Sequence, residues 1–240
     1  MNLFTARRKT VAGVAGLVLL AAPLAACGSE GDSDASSSES TSSASAASAE
    51  TPQRVEATAT INDLSNGDTT SIALDSGFVE ALGTLGLTPG TVGNASLTND
   101  GALVFDISGG WVQLFEPGTV PNYVVGQIQH EESGLTLTAG QGANATVVTI
   151  GNLNVDPGRS IVYGDVAANG DPVGYSLPLF NLNGSTLEPV QQSGDEVTLT
   201  GTEVYVSQAA ADLLNQTFGT DALSDQTLVG VATITVVAGS

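Results

Sequence analysis

The stretch YVVGQIQHEESGLTL, residues 123–137, decides how the chain is read. Val124, Gly126, Ile128 and His130 fall on one face of an extended strand. Tyr123, Val125, Gln127 and Gln129 fall on the other. Glu131-Glu132-Ser133-Gly134 has turn composition and is expected to end that strand. His130 is the only histidine in the chain. A histidine at a strand end bonds a neighbouring turn or carboxylate, or serves as a ligand, and both roles stay open here.

The same two-residue period recurs outward from this stretch. It runs through Val55–Ile61, Ala102–Ile107, Thr146–Ile150 and Glu196–Thr200. Turn signals bound these runs: Asn99-Asp100-Gly101, Asn169-Gly170-Asp171 and Asn183-Gly184. Residues 55–240 therefore predict one mostly β domain, an antiparallel sandwich or barrel. Two segments break the period. Residues 76–86 place Phe78, Leu82 and Leu85 on one helical stripe, with Asp75 as cap and Gly86 as stop. Residues 207–219 do the same with Ala210, Leu213, Leu214 and Phe218, between Ser207 and Gly219. Residues 70–98 and 202–235 thus predict two strand–helix–strand units in repeated order, expected to lie side by side.

The start of the chain follows different rules. Arg7, Arg8 and Lys9 precede an apolar run, Val11–Ala25, too short to span a membrane and suited to a signal-peptide core. The run ends in Leu24-Ala25-Ala26-Cys27, which resembles the bacterial lipobox. That resemblance makes residues 1–26 a lipoprotein signal peptide. It also makes Cys27, the only cysteine, the lipidated N-terminus, carrying diacylglycerol and often a further acyl chain such as palmitate. The implied location is the cell membrane, lipid-anchored on its extracytoplasmic face. Residues 28–54 are serine, alanine and acids without apolar period, so residues 27–54 read as the lipidated cysteine and a disordered tether. The lipobox and the Ala/Gly/Val/Asp-rich usage point to an actinobacterial envelope.

The chain carries a formal charge of −20. After residue 26 only Arg54 and Arg159 remain against all 25 acidic residues, a charge of −23. Nucleic acid is excluded as a partner, because its binding rests on lysine and arginine neutralising phosphates. The same charge argues against electrostatic docking on anionic lipid, which leaves the anchor to hold the protein at the membrane.

Catalytic arrangements mostly fail for want of residues. No lysine remains after the signal, no G-x-S-x-G elbow surrounds a serine, and zinc sites of several His or Cys cannot be built. Paired carboxylates acting on a glycan remain one alternative. Asp165, Asn169 and Asp171, and Asn152, Asn154 and Asp156, offer hard oxygens on expected turns without the EF-hand spacing, so no metal site is expected. Aromatics gather in residues 109–123, where Trp111, Phe115 and Tyr123 form an expected recognition loop or a hydrophobic plug.

The strings LVFDISGG, VVGQIQHEESGLTL and VVTIGNLNVDPGRSIVYGDV, within residues 103–166, resemble secreted actinobacterial β domains, including the HtaA-type domain. The resemblance implies haem held by a tyrosine with histidine help. The W-x-x-x-x-S-F-x-x-Y pattern that carries the family's tyrosine is absent here, which leaves Tyr123 or Tyr163 for that role. The expectation is a binding or structural envelope module without cofactor or catalysis. Its partner would be an envelope protein, a glycan or a small ligand. The alternatives are a haem or small-ligand receptor and a glycan hydrolase. The candidate ligand-binding residues are Trp111, Phe115, Tyr123 and His130.

Overall fold

The computed structural model describes residues 55–66, 69–120 and 123–237. The signal, Cys27 and the tether lie outside the described residues. In chain order the strands are β1 (Ala59–Ile61), β2 (Thr69–Leu74), β3 (Leu87–Gly93), β4 (Ser96–Leu97), β5 (Ala102–Asp106), β6 (Gly109–Leu114) and β7 (Val124–Ala139). They continue as β8 (Thr146–Asp156), β9 (Ile161–Ala168), β10 (Asp171–Asn183), β11 (Gln191–Ser193), β12 (Glu196–Val206) and β13 (Leu228–Val237). Two α-helices interrupt them, α1 (Ser76–Thr84) and α2 (Gln208–Phe218). The protein is mostly β, as expected, and its strand ladders are antiparallel.

The strands form one sheet in the order β1-β6-β7-β8-β9-β10-β12-β13-β2-β5-β4. β11 adds to β12, and β3 pairs with the C-terminal half of β7. Topology forces this sheet to curl. β5 and β6 stand near opposite ends of the strand order, yet only Ile107 and Ser108 join them. Two residues span at most about 7 Å. The ends of the sheet must therefore meet. Asn94 and Ala95 make the same crossing between β3 and β4. The inward face is the core, with Ile128, Val112, Val148, Leu179 and Val236 fully buried.

The helices start and stop where their caps predict. Asp75 Oδ1 accepts from the Phe78 N–H at 3.1 Å, and Gly86 follows α1 with φ +65°. Ser207 Oγ accepts from the Ala210 N–H at 3.0 Å and donates to the Pro178 carbonyl at 2.6 Å. Gly219 ends α2 in the left-handed region. The strand–helix–strand order recurs, and the two units adjoin through the β2–β13 ladder. Their pairing differs, because β13 pairs with β12 whereas β3 leaves β2 and pairs with β7.

Glu131–Gly134 is not the turn its composition suggests. β7 runs through it as a bulge: between the pairs His130–Leu153 and Gly134–Gly151, three residues of β7 face only Asn152 of β8. Neighbouring bulges lie between β8 and β9 and between β9 and β10. Each holds one non-glycine residue at positive φ: Glu132 at 56°, Asn152 at 50° and Ser176 at 50°. Two side chains stitch the three together. Asn152 Oδ1 accepts from the Glu132 N–H at 3.2 Å, and its Nδ2 donates to Asp165 Oδ2 at 3.0 Å. Asp165 Oδ1 accepts from the Ser176 N–H at 2.9 Å. Asn152, Asn154 and Asp165 thus sit on strands and not on turns, and Asn152 and Asp165 serve the backbone.

Asp165→Ala removes a carboxylate that satisfies two donors in adjacent bulges. Urea unfolding is expected to show a loss of about 2–4 kcal/mol. Asp171→Ala, at an exposed position beside the Asn169–Gly170 hairpin, is expected to cost less than about 0.5 kcal/mol.

Candidate ligand cavity

The curl encloses a cavity of about 410 Å³. Ile72, Leu103, Phe105, Leu135, Leu153 and Val155 form one side of it. Leu182, Leu199, Val204 and Ala232 line it from β10, β12 and β13. Three segments frame its polar end: Tyr123 before β7, Ser160 in the β8–β9 turn, and Ser185 to Leu187 after β10. Ser185 is exposed, which places the mouth there. The lining contains no aspartate, glutamate, lysine or arginine.

His130 belongs to this wall. It is 1% exposed, and its Nε2 lies 2.8 Å from Thr70 Oγ1 of β2, itself buried. Phe105 packs edge-on against the ring, with centroids 6.2 Å apart. Nδ1 is buried without a hydrogen-bond partner. Burial lowers the histidine pKa from 6.5 to about 4, and the Leu153 backbone opposes this. The ring is therefore neutral at physiological pH. The partner of His130 comes from a strand 60 residues away in sequence.

The four residues singled out by sequence separate in space. His130 and Tyr123 line the same cavity. Tyr123 lies just before β7, so the strand alternation does not bind it, and its hydroxyl reaches the Leu187 carbonyl at 3.4 Å. Trp111 sits on β6 rather than in a loop. It is 42% exposed and points outward, because Val112 beside it is buried. β7 approaches the strand closely there: a Cβ at Gly126 would stand 2.1 Å from the Trp111 carbonyl oxygen. Phe115 is half-buried, and its N–H donates to the Tyr123 carbonyl at 2.7 Å, closing the loop between them. Neither Trp111 nor Phe115 lines the cavity. Sequence reasoning missed Thr70, Ile72 and Phe105. Alternation in Thr69–Leu74 carries the signal for Thr70 and Ile72 but does not say what they face.

Among the described residues no group of three or more His, Cys, Asp or Glu could hold a metal ion, and no helix is long and apolar enough to cross a membrane.

No family model matches the chain, and no curated protein does. Among solved structures, the C-terminal domain of HtaA from Corynebacterium glutamicum is similar at a TM-score of 0.49 and 16% identity. That match covers 75% of this chain and 99% of the other. A domain-swapped dimer of a histidine-to-alanine variant of that domain is similar at a TM-score of 0.42 and 18% identity, covering 68% and 92%.

The residues present do not fit haem. Nε2 of His130 is engaged by Thr70, and the side chain is 1% exposed. Burial raises the Tyr123 pKa, the opposite of what a phenolate ligand needs. No cation lines the cavity to meet a propionate.

The histidine's low pKa sets a pH dependence. Below about 6.5 the unfolded chain takes up a proton that the folded one refuses. Stability from this group is therefore complete above about 6.5 and falls as pH drops toward 4. The stability advantage of the wild type over His130→Gln, measured by urea unfolding, is expected to shrink by roughly 2–3 kcal/mol between pH 7 and pH 4.

Proposed function

We propose that this chain is a membrane-anchored, extracytoplasmic binding module that holds a small, largely apolar molecule inside its curled sheet, without catalysis. The observation that carries this is the cavity. Its volume of about 410 Å³ lies within the range of about 300–1,000 Å³ typical of small-molecule sites. Its wall is aliphatic and aromatic, and its few polar groups are placed at the mouth and at one point of the wall. A core that merely stabilised the sheet would be filled, since interiors pack to crystal-like density. The uncharged lining offers no carboxylate pair for glycoside hydrolysis.

The anchor follows from Leu24–Cys27, and the tether sets the distance between membrane and domain. Cys27→Ser is expected to release the protein from the membrane fraction into the medium. Retention of the variant in the membrane would count against a lipid anchor at this cysteine.

Titration of the full chain with N-phenylnaphthylamine, an uncharged apolar fluorophore, tests the cavity. Saturable one-to-one enhancement is expected. Ser185→Trp, which places a large ring at an exposed rim position, is expected to weaken binding about tenfold without lowering the unfolding temperature. Absence of enhancement in the wild type would overturn the proposal.

A further inference from the structure

The cavity lining is short of charge and not of polarity. Thr70, Tyr123, Ser160, Ser185 and Thr202 bring hydroxyl side chains to it, and His130 brings an imidazole. None of the described aspartate, glutamate, lysine or arginine residues belongs to it. Charged residues do flank the lining in sequence. Asp156 stands one residue before Pro157 of the lining, Arg159 one before Ser160, and Glu188 one after Leu187. All three are spent elsewhere. Asp156 Oδ1 accepts from the Arg159 N–H at 3.0 Å, and Oδ2 lies 3.8 Å from Arg159 Nε. The Arg159 side chain is 74% exposed, and Glu188 is exposed. His130 and Thr70 meet at 2.8 Å, and whichever of them donates, the pair carries no charge while the ring is neutral.

Such a lining separates ligands by charge and not by hydrogen-bond direction. A hydroxyl side chain donates or accepts, so a neutral head group of either kind can be met. An ion of either sign finds no counter-charge there, and an unpaired buried ion costs several kcal/mol. Rejection of a cation must come from the lining alone. Among the described residues Arg159 is the only lysine or arginine, so the acidic surface draws cations toward the mouth.

We propose that the cavity selects an uncharged lipid-like molecule, alcohol and ester alike, and rejects a chain of the same length that ends in an ion of either sign. This rests on the cavity being a ligand site, and the test separates the two claims. The full chain loaded with N-phenylnaphthylamine is titrated at pH 7 with decanol, methyl decanoate, decanoate and decyltrimethylammonium, below the concentrations at which they form micelles. The two neutral compounds are expected to displace the probe at similar concentrations, about tenfold below either ion. Ser185→Arg, which sets a cation at the exposed rim, is expected to narrow the gap between decanoate and decanol about threefold and to leave the gap for the cation open. Displacement by decanoate or by decyltrimethylammonium as readily as by decanol overturns the inference, because the ionised head would then be paired or left in water. A decanoate gap unchanged in Ser185→Arg overturns it too, because the missing counter-charge would not be what sets it. If the variant does not bind the probe, the wild-type series decides alone. Failure of the wild type to bind the probe removes the cavity site itself, and this inference with it.

Discussion

The side chains of Asn152 and Asp165 hold three neighbouring bulges, and the cavity depends on that arrangement. A bulge adds residues to one strand, breaks the ladder locally and bends it. Its cost is an unpaired amide and, here, a residue in the left-handed region, which for a residue such as Glu132 or Ser176 is worth about 1–3 kcal/mol. Three bulges on consecutive strand pairs would be expensive if each left its amide orphaned. Asn152 and Asp165 satisfy two of those amides and bond to each other. The bend they stabilise falls beside His130, the last paired residue of β7 before its bulge, whose ring turns onto Thr70.

Closure follows from chain length as much as from side chains. The two-residue connections 94–95 and 107–108 each carry the chain across the gap between the ends of the sheet. The ends must stay close whatever fills the interior, so the cavity does not depend on an occupant to persist. The sheet nevertheless keeps its edges. The terminal strands of the order, β1 and β4, have three and two residues. Short edges offer little ladder to a neighbouring molecule.

Much of this was legible in the sequence because it rests on local chemistry. Two-residue alternation marks strands, Asp75 and Ser207 cap helices, and Asn169-Gly170 takes the positive φ pair of a tight hairpin. Glu131–Gly134 forms a bulge where its composition suggests a turn, for a physical reason. Turns and bulges recruit the same small and polar residues, and only the partner strand decides whether the chain reverses or continues. Asn152 shows the same ambiguity, since asparagine in the left-handed region ends a turn or kinks a strand equally well. The site was less legible still. The Thr70–His130 contact spans 60 residues. Alternation places both on inward faces without saying that those faces meet. Trp111 stands out in an aromatic-poor chain, yet the same alternation that buries Val112 turns it to solvent.

On the proposed reading, charge and cavity would select in the same direction. None of the described acidic residues lines the cavity, so their field acts on it from outside while the lining stays uncharged. On the proposed reading, an anionic amphiphile approaching the mouth would be repelled before contact and would find no counter-charge inside. A neutral one meets neither penalty. Salt would weaken the outer barrier, because its range is the Debye length of about 8 Å at physiological ionic strength, but would leave the inner one intact, because the cost of burying an anion without a counter-charge does not depend on the surface field. Discrimination between neutral and anionic ligands of equal length should therefore persist at high salt in equilibrium binding, while the association rate of the anion rises. The barrier that fades belongs to the surface and the one that remains belongs to the cavity, so the two contributions can be told apart on one protein without changing a residue.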